Sequence, residues 1–117
     1  MQIEYKKDSL KSICTDFNKA TKKYNILVAE KLIATINYIE NAATLIDVRN
    51  YAPFNFHDLK GNKEGLYAID LGRKLGYRLI VKPLLNNFSP APITDIFSSN
   101  AINIKIIKIE EVSNHYE

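Results

Sequence analysis

Apolar side chains between residues 10 and 43 recur every three or four positions, which is the period of an α-helix. The first stripe comprises Leu10, Ile13, Cys14, Phe17, Ala20 and Tyr24. The second comprises Ala29, Leu32, Ile33, Ile36, Ile39 and Ala43. Asp8 or Ser9 offers an N-cap for the first helix, and Asn25 interrupts the pattern. The stripes therefore predict a helical hairpin whose second helix covers residues 26–42, preceded by a short strand where residues 2–6 (QIEYK) alternate.

The period changes from 3.6 to 2 at Asn55, which indicates strands. NFHDLK, the turn GNKEG and LYAIDLG predict a β-hairpin, because Gly61 and Gly65 supply the φ angles that a five-residue turn requires. YRLIVKPL, after a second turn (GRKLG), predicts a third strand that ends at Pro83. INIKIIKIEEV predicts a last strand that is long enough to lie centrally.

Two segments lack a clean period. Residues 44–54 are predicted to form a connector with one helical turn, which Pro53 ends. Residues 85–101 contain two prolines and are predicted to form a long loop. Two helices followed by consecutive strands predict an α+β fold, in which an N-terminal helical hairpin packs on one face of a small, mainly antiparallel β-sheet. In the third strand, alternation places Arg78, Ile80 and Lys82 on the other, open face.

Length and composition predict a single globular domain over residues 1–117, since 46% of the residues are hydrophobic and 25% are charged. The start of the chain, MQIEYKKDS, lacks the apolar segment of a secretion signal, and we find no apolar stretch long enough to cross a membrane. We therefore expect a cytoplasmic protein with no membrane contact. Cys14 cannot form an internal disulfide, and one cysteine with two histidines is too few for a closed zinc site.

The formal net charge of +3 is unevenly distributed. Residues 57–82 carry an excess of three positive charges, from Lys60, Lys63, Arg73, Lys74, Arg78 and Lys82 against Asp58, Glu64 and Asp70. The lysines of the first 23 residues fall on the polar side of a predicted helix, so we interpret them as a solvated face. The second basic block lies on predicted strands, beside His57, and is the better candidate for contact with a polyanion.

The residues that could carry chemistry are His57, Lys60, Lys63, Arg73, Arg78, His115 and Tyr116. No glycine-rich phosphate loop precedes a helix, no serine or cysteine lies in a nucleophile elbow, and the aspartates are too scattered for a two-metal nuclease. Imidazole and basic groups suit RNA cleavage without a metal, in which the 2′-hydroxyl attacks its own phosphate. One group then removes a proton, another returns one, and cations stabilise the phosphorane.

FHDLKGNKEGLYAIDLG, the YRLIV strand and the C-terminal IIKIEEVSNHYE together resemble the HigB/RelE superfamily of type II toxin–antitoxin toxins, in particular its HigB-like plasmid maintenance killer branch. The resemblance implies a RelE/ParE-like fold. It also implies that His57 and Lys60 match the family's His-x-Leu-Lys-Gly, that Arg78 matches its strand arginine, and that His115 matches its C-terminal histidine. The family commonly has Asp-Tyr-His at that point, whereas this chain has Ser113, Asn114 and His115 followed by Tyr116.

The resemblance implies a ribosome-dependent endoribonuclease that cleaves mRNA, inhibits translation, uses no cofactor or metal, and is neutralised by a helix-turn-helix, HigA-like antitoxin. The catalytic residues would be His57, Lys60, Arg78, His115 and Tyr116. The RNA-binding residues would be Lys63, Arg73, Lys74 and Lys82. Two alternatives remain open: a ParE-like inhibitor of DNA gyrase, and a toxin-fold binding protein that has lost catalysis.

Overall fold

A computed structural model describes residues 1–114 of the protein, without the side chain of Arg73. Within that range, five strands form one mixed sheet and five α-helices accompany it. The strands are β1 (Gln2–Tyr5), β2 (His57–Asp58), β3 (Tyr67–Asp70), β4 (Arg78–Leu84) and β5 (Ile106–Ser113). The helices are α1 (Asp8–Thr15), α2 (Phe17–Lys23), α3 (Ile26–Asn41), α4 (Leu45–Arg49) and α5 (Ile93–Ile96). The predicted α+β class is confirmed.

The strands are arranged in the order β1-β5-β4-β3-β2, so the last strand of the chain is an internal strand, as predicted. The pairings β2–β3, β3–β4 and β4–β5 are antiparallel. β1 runs parallel to β5, with Gln2 opposite Ile106. A parallel pair needs a long crossover, and here all the intervening elements provide it.

The first predicted helix is wrong as a single element, because it breaks at Asp16 into α1 and α2. Asp16 has extended backbone angles, φ −133° and ψ 106°, and its carboxylate accepts a hydrogen bond from Lys19 N–H at 3.1 Å. An aspartate is unfavourable inside a helix but a good N-cap, so it ends one helix and begins the next. The predicted N-cap of α1 was also wrong, since Lys7 holds that position without a side-chain bond.

The second predicted helix is confirmed as α3. Asn25 is its N-cap, and the Asn25 side chain accepts a hydrogen bond from Val28 N–H at 3.0 Å. The helix turns its apolar stripe inward, so that Ala29, Leu32, Ile36 and Ile39 are buried.

The two segments without a clean period contain more structure than predicted. Residues 44–54 form α4, which begins with a capping box between Thr44 and Asp47, and then a 3₁₀ helix, Ala52–Phe54. Pro53 lies in the first turn of that 3₁₀ helix, where its missing N–H costs nothing, and does not end a helix. Residues 85–101 are not a simple loop, because they include α5 and the start of another 3₁₀ helix, Ser99–Asn103.

β4 continues through Pro83 to Leu84 and does not end at the proline. β3 pairs with β4 only as far as Tyr67, which lies opposite Val81. β3 therefore does not extend alongside Pro83, and the absence of an N–H on the proline costs the β3–β4 ladder no hydrogen bond. The Pro83 carbonyl accepts a hydrogen bond from Ala91 N–H at 3.0 Å.

The core lies between the helices and one face of the sheet. That face contributes Tyr67, Ile69, Leu79, Val81, Ile107 and Ile109 to the main cluster of buried side chains. The β4–β5 register shifts between Ile80 and Val81, which are opposite Glu111 and Ile109. Glu110 is thus the extra residue of a β-bulge.

We expect Asp16→Ala to lower the free energy of unfolding by about 1 kcal/mol, because it removes the side chain that caps α2. Asp16→Asn is the matched control, since asparagine can accept the same bond from Lys19 N–H. Urea unfolding monitored by circular dichroism measures both variants. Equal stability of Asp16→Ala and Asp16→Asn would contradict the role of this cap.

Candidate functional site

The polar candidate site occupies the face of the sheet opposite the helices. His57 pairs with Ala68, Ala68 with Ile80, and Ile80 with Glu111. Directly paired residues of neighbouring strands point to the same face, so this row crosses four strands on one side. Arg78 lies on that side as well, because it is two residues from Ile80 on β4. The structure thus brings His57 and Arg78 onto the same face.

His57 is held by a bond at the start of β2. Its Nδ1 lies 2.6 Å from the carbonyl oxygen of Asn55. A carbonyl can only accept, so Nδ1 carries the proton and Nε2 of the neutral ring is left as the basic nitrogen. Asn55 has a positive φ of 46° and donates from Nδ2 to Asp70 Oδ2 at 3.1 Å. This pair of bonds fixes the imidazole relative to β3.

Arg78 is partly buried at the first position of β4, opposite Asp70 on one side and Ser113 on the other. Its Nε is buried and has no acceptor within residues 1–114. Guanidinium groups suit phosphate oxygens because their planar donors can form two parallel bonds. Arg78 is therefore the described cation on this face whose chemistry best fits a phosphate.

Lys63 reaches the same face from the turn between β2 and β3, which is a 3₁₀ helix, Gly61–Lys63. Its Nζ lies 3.0 Å from Glu111 Oε2. Because Glu111 is the direct partner of Ile80, this ion pair carries the Lys63 side chain over the middle of the sheet. About half of the Glu111 side chain is exposed, so the pair is partly screened by water.

Lys60 lies elsewhere. It lines a cavity of about 470 Å³ together with Asp58 and Tyr67. Asp58 pairs with Tyr67, whose ring belongs to the core, so these residues belong to the face opposite His57. The backbone alternation of β2 thus separates the cavity of Lys60 from the row that contains His57.

The remaining predicted residues are divided among three places. Lys82 lies on β4 on the same face as Arg78. Lys74 is exposed, within a 3₁₀ turn formed by Arg73–Leu75. His115 and Tyr116 lie outside the described residues.

Sequence reasoning missed a charged cluster formed by Lys6, Lys108 and Glu110. Glu110 is the bulge residue, and its carboxylate lies 3.7 Å from the ammonium of Lys6 and 3.7 Å from that of Lys108. Only 8% of the Glu110 side chain is exposed. Alternation places Lys108 and Glu110 on one side of β5, but the contact with Lys6 depends on the pairing of β1 with β5, which no local pattern in the sequence indicates.

Cys14 is not part of the polar face. It is 1% exposed, and burial raises the pKa of its thiol from 9.0 to about 12. Burial, followed by the charge of a nearby Cys14 thiolate, also raises the pKa of Tyr5 and of Tyr24 to about 12. A protonated, enclosed thiol is a poor nucleophile, so Cys14 serves the core.

No group of three or more histidine, cysteine, aspartate or glutamate side chains within residues 1–114 is arranged to hold a metal ion. In the same range, no helix is both long and apolar enough to cross a bilayer. The sequence matches no protein-family model and no curated protein.

We expect the neutral ring of His57 to exist as the Nδ1–H tautomer, because the Asn55 carbonyl requires a donor at that nitrogen. Long-range ¹H–¹⁵N correlation spectra of the neutral ring measure the tautomer directly. A His57→Gln variant assigns the signals. A dominant Nε2–H form would contradict the bond to Asn55.

We expect stability to fall as the pH rises from about 9 to about 12. In the unfolded chain, Cys14 loses its proton around a pKa of 9.0, and Tyr5 and Tyr24 lose theirs around 10.0, whereas the native state keeps these protons. The native state therefore binds more protons than the unfolded state in this range, so the free energy of unfolding decreases as the pH rises. Urea titrations at several pH values measure it. In Cys14→Ala the decline should begin near pH 10, and an onset identical to that of the parent protein would contradict the buried-thiol contribution.

Proposed function

We propose that this protein is the toxin of a type II toxin–antitoxin system and cleaves mRNA on the ribosome without a metal ion. The observation that carries the proposal is the shared face of His57 and Arg78, which are two of the residues that match the HigB/RelE motif. The α+β class and the mainly antiparallel sheet are consistent with a RelE/ParE-like fold, which we include in the proposal.

The proposed reaction is attack of a ribose 2′-hydroxyl on the adjacent phosphate. A general base removes the proton of the 2′-hydroxyl, and a general acid protonates the departing 5′-oxygen. His57 offers its unprotonated Nε2 for one of these transfers, and His115 is proposed for the other, with Tyr116 assisting proton transfer or stacking on a base. Arg78 stabilises the additional negative charge of the phosphorane.

The basic residues around this pair are proposed to bind the RNA backbone. Lys82 continues the positive charge of Arg78 along β4. Lys63 lies in the turn between β2 and β3, and Arg73 and Lys74 lie in the turn between β3 and β4. Lys60, in its separate cavity, is proposed to reach the phosphate only when the β2–β3 turn adjusts to bound RNA.

The proposed regulator is a helix-turn-helix, HigA-like antitoxin in the same cytoplasm. An antitoxin with acidic residues facing the block at 57–82 would occupy the RNA-binding surface. Complementary charge speeds such an association and makes its rate depend on salt.

The direct test is expression of the chain from a tightly repressed promoter, followed by mapping of mRNA 5′ ends. We expect new 5′ ends within translated messages. In a purified translation reaction, these ends should be absent when ribosomes are removed. Filamentation with DNA damage and no new ends would instead favour inhibition of DNA gyrase. Normal growth with binding to an antitoxin would favour a fold that has lost catalysis.

Two variants separate chemistry from binding. We expect His115→Ala to slow cleavage by about 10²- to 10⁴-fold while the protein still binds ribosomes, because it removes one proton transfer. Arg78→Ala should slow cleavage by roughly 10²- to 10³-fold, by analogy with the loss of one donor to a developing oxyanion, and should also weaken RNA binding. Primer extension on a reporter mRNA and ribosome co-sedimentation provide the two measurements.

Lys22→Ala is the matched control, because Lys22 is an exposed lysine in the last turn of α2, outside the proposed site. Its cleavage rate should equal that of the parent protein. Toxicity of His115→Ala equal to that of the parent would remove the histidine from the mechanism.

A further inference from the structure

A second basic pocket lies on the polar face, at the far end of β4 from Arg78. Its volume is about 380 Å³, and its lining includes Glu4, Lys6, Lys82, Leu84, Phe88 and Lys108. Lys82 is four residues from Arg78, and a strand rises about 3.3 Å per residue, so the two cations are about 13 Å apart along β4. The pocket therefore continues the face of the proposed cleavage site.

Two lysines of this pocket lie close enough to repel each other. Lys82 and Lys108 are direct partners in the β4–β5 ladder, and like charges in that position destabilise a sheet. Glu110 lies 3.7 Å from both Lys6 and Lys108, and Glu4 is the direct partner of Lys108 on β1, so these two carboxylates offset part of the charge. Among the ion pairs of residues 1–114, none includes Lys82. The pocket thus keeps a cation that an anionic ligand could neutralise.

Phe88 supplies a different kind of surface at the edge of the same pocket. Phe88 is 52% exposed, and its backbone φ of 66° lies in the left-handed region that residues with bulky side chains rarely adopt. The turn that holds it is well bonded, since Phe88 N–H donates to Leu85 O at 2.8 Å and Leu85 N–H donates to Ser89 O at 2.8 Å. The ring is therefore kept outside the core, beside the lysines.

We propose that this pocket binds one nucleotide of single-stranded RNA, with a backbone phosphate between Lys82 and Lys108 and the base stacked on Phe88. Lysine binds phosphate as a point charge, and an aromatic ring stacks on any base without sequence preference. The carboxylates of an acidic peptide would neutralise the lysines but would not stack on the exposed ring of Phe88. The choice of RNA rests on the proposed function, because the pocket shares the face of Arg78.

The test is fluorescence anisotropy with a labelled single-stranded oligonucleotide of mixed sequence, whose 2′-O-methyl groups prevent cleavage. Phe88→Gly should weaken binding by roughly 5- to 150-fold, the range for loss of one base stack, without changing the salt dependence. Lys108→Ser should weaken binding and reduce the slope of log K against log salt by roughly 0.7, the value for one phosphate contact on a single strand.

Two controls keep the outcome interpretable. Glycine adopts a positive φ without strain, so the thermal midpoint of Phe88→Gly should show that the turn still folds. Lys22→Ser removes an exposed lysine on α2 and should leave affinity near that of the parent protein. Equal losses in Lys22→Ser and Lys108→Ser would overturn the proposal, because only general charge would then matter.

Other results also decide the question. If Phe88→Gly binds as tightly as the parent, the stacking surface is wrong and the proposal falls. If a polyglutamate peptide binds with the same dependence on Phe88, the ligand is not RNA. Binding that requires Phe88 and Lys108 in a protein that cleaves no mRNA would support the pocket and remove the proposed function. If the protein cleaves mRNA but Phe88→Gly and Lys108→Ser bind the oligonucleotide normally, the proposed function is supported and the pocket is not.

Discussion

The antiparallel pairing of β4 with β5, including the bulge at Glu110, determines which side of the sheet each side chain occupies. Leu79 and Val81 face the helices because this register sets them there, and Arg78 and Lys82 face the opposite side for the same reason. A slip of one residue would exchange the two sets, placing charges in the core and aliphatic side chains in water. The apolar core therefore also enforces the arrangement of the polar face.

The bulge adds a feature that a regular ladder could not provide. Because one extra residue opposes Ile80, the strand can direct two consecutive acidic residues toward basic partners. Glu110 contacts Lys6 and Lys108, and Glu111 contacts Lys63. The polar face consequently contains two neutralised zones, with Arg78 and Lys82 on the strand beside them.

Local patterns predicted the elements whose structure is decided locally. The apolar period of α3 and the interruption at Asn25 were sufficient to place that helix, and alternation was sufficient to place Arg78. The break at Asp16 was missed because the apolar stripe continues across it. Periodicity alone does not show that Asp16 takes the N-cap position of a new helix. α5 was missed because four residues are too few to show a helical period.

The site could be predicted only in part, for the same reason. His57 and Arg78 came from a motif and from strand alternation, and the structure places them on one face. Alternation along β2 separates Lys60 from His57, although the motif predicted that they share a site, and the Lys6–Glu110–Lys108 cluster depends on a strand from the other end of the chain. Residues far apart in sequence meet through register, which no local pattern encodes.

The position of β1 has a consequence for how the protein is made. Gln2 pairs with Ile106, so β1 leaves the ribosome long before its partner β5 has been synthesised. Closing so long a loop is entropically costly, and contacts of this range slow folding. The helices can form early, but the sheet cannot be completed before β5 emerges. The nascent chain therefore passes through a stage in which Lys6 and Lys63 have been synthesised but their acidic partners on β5, Glu110 and Glu111, have not.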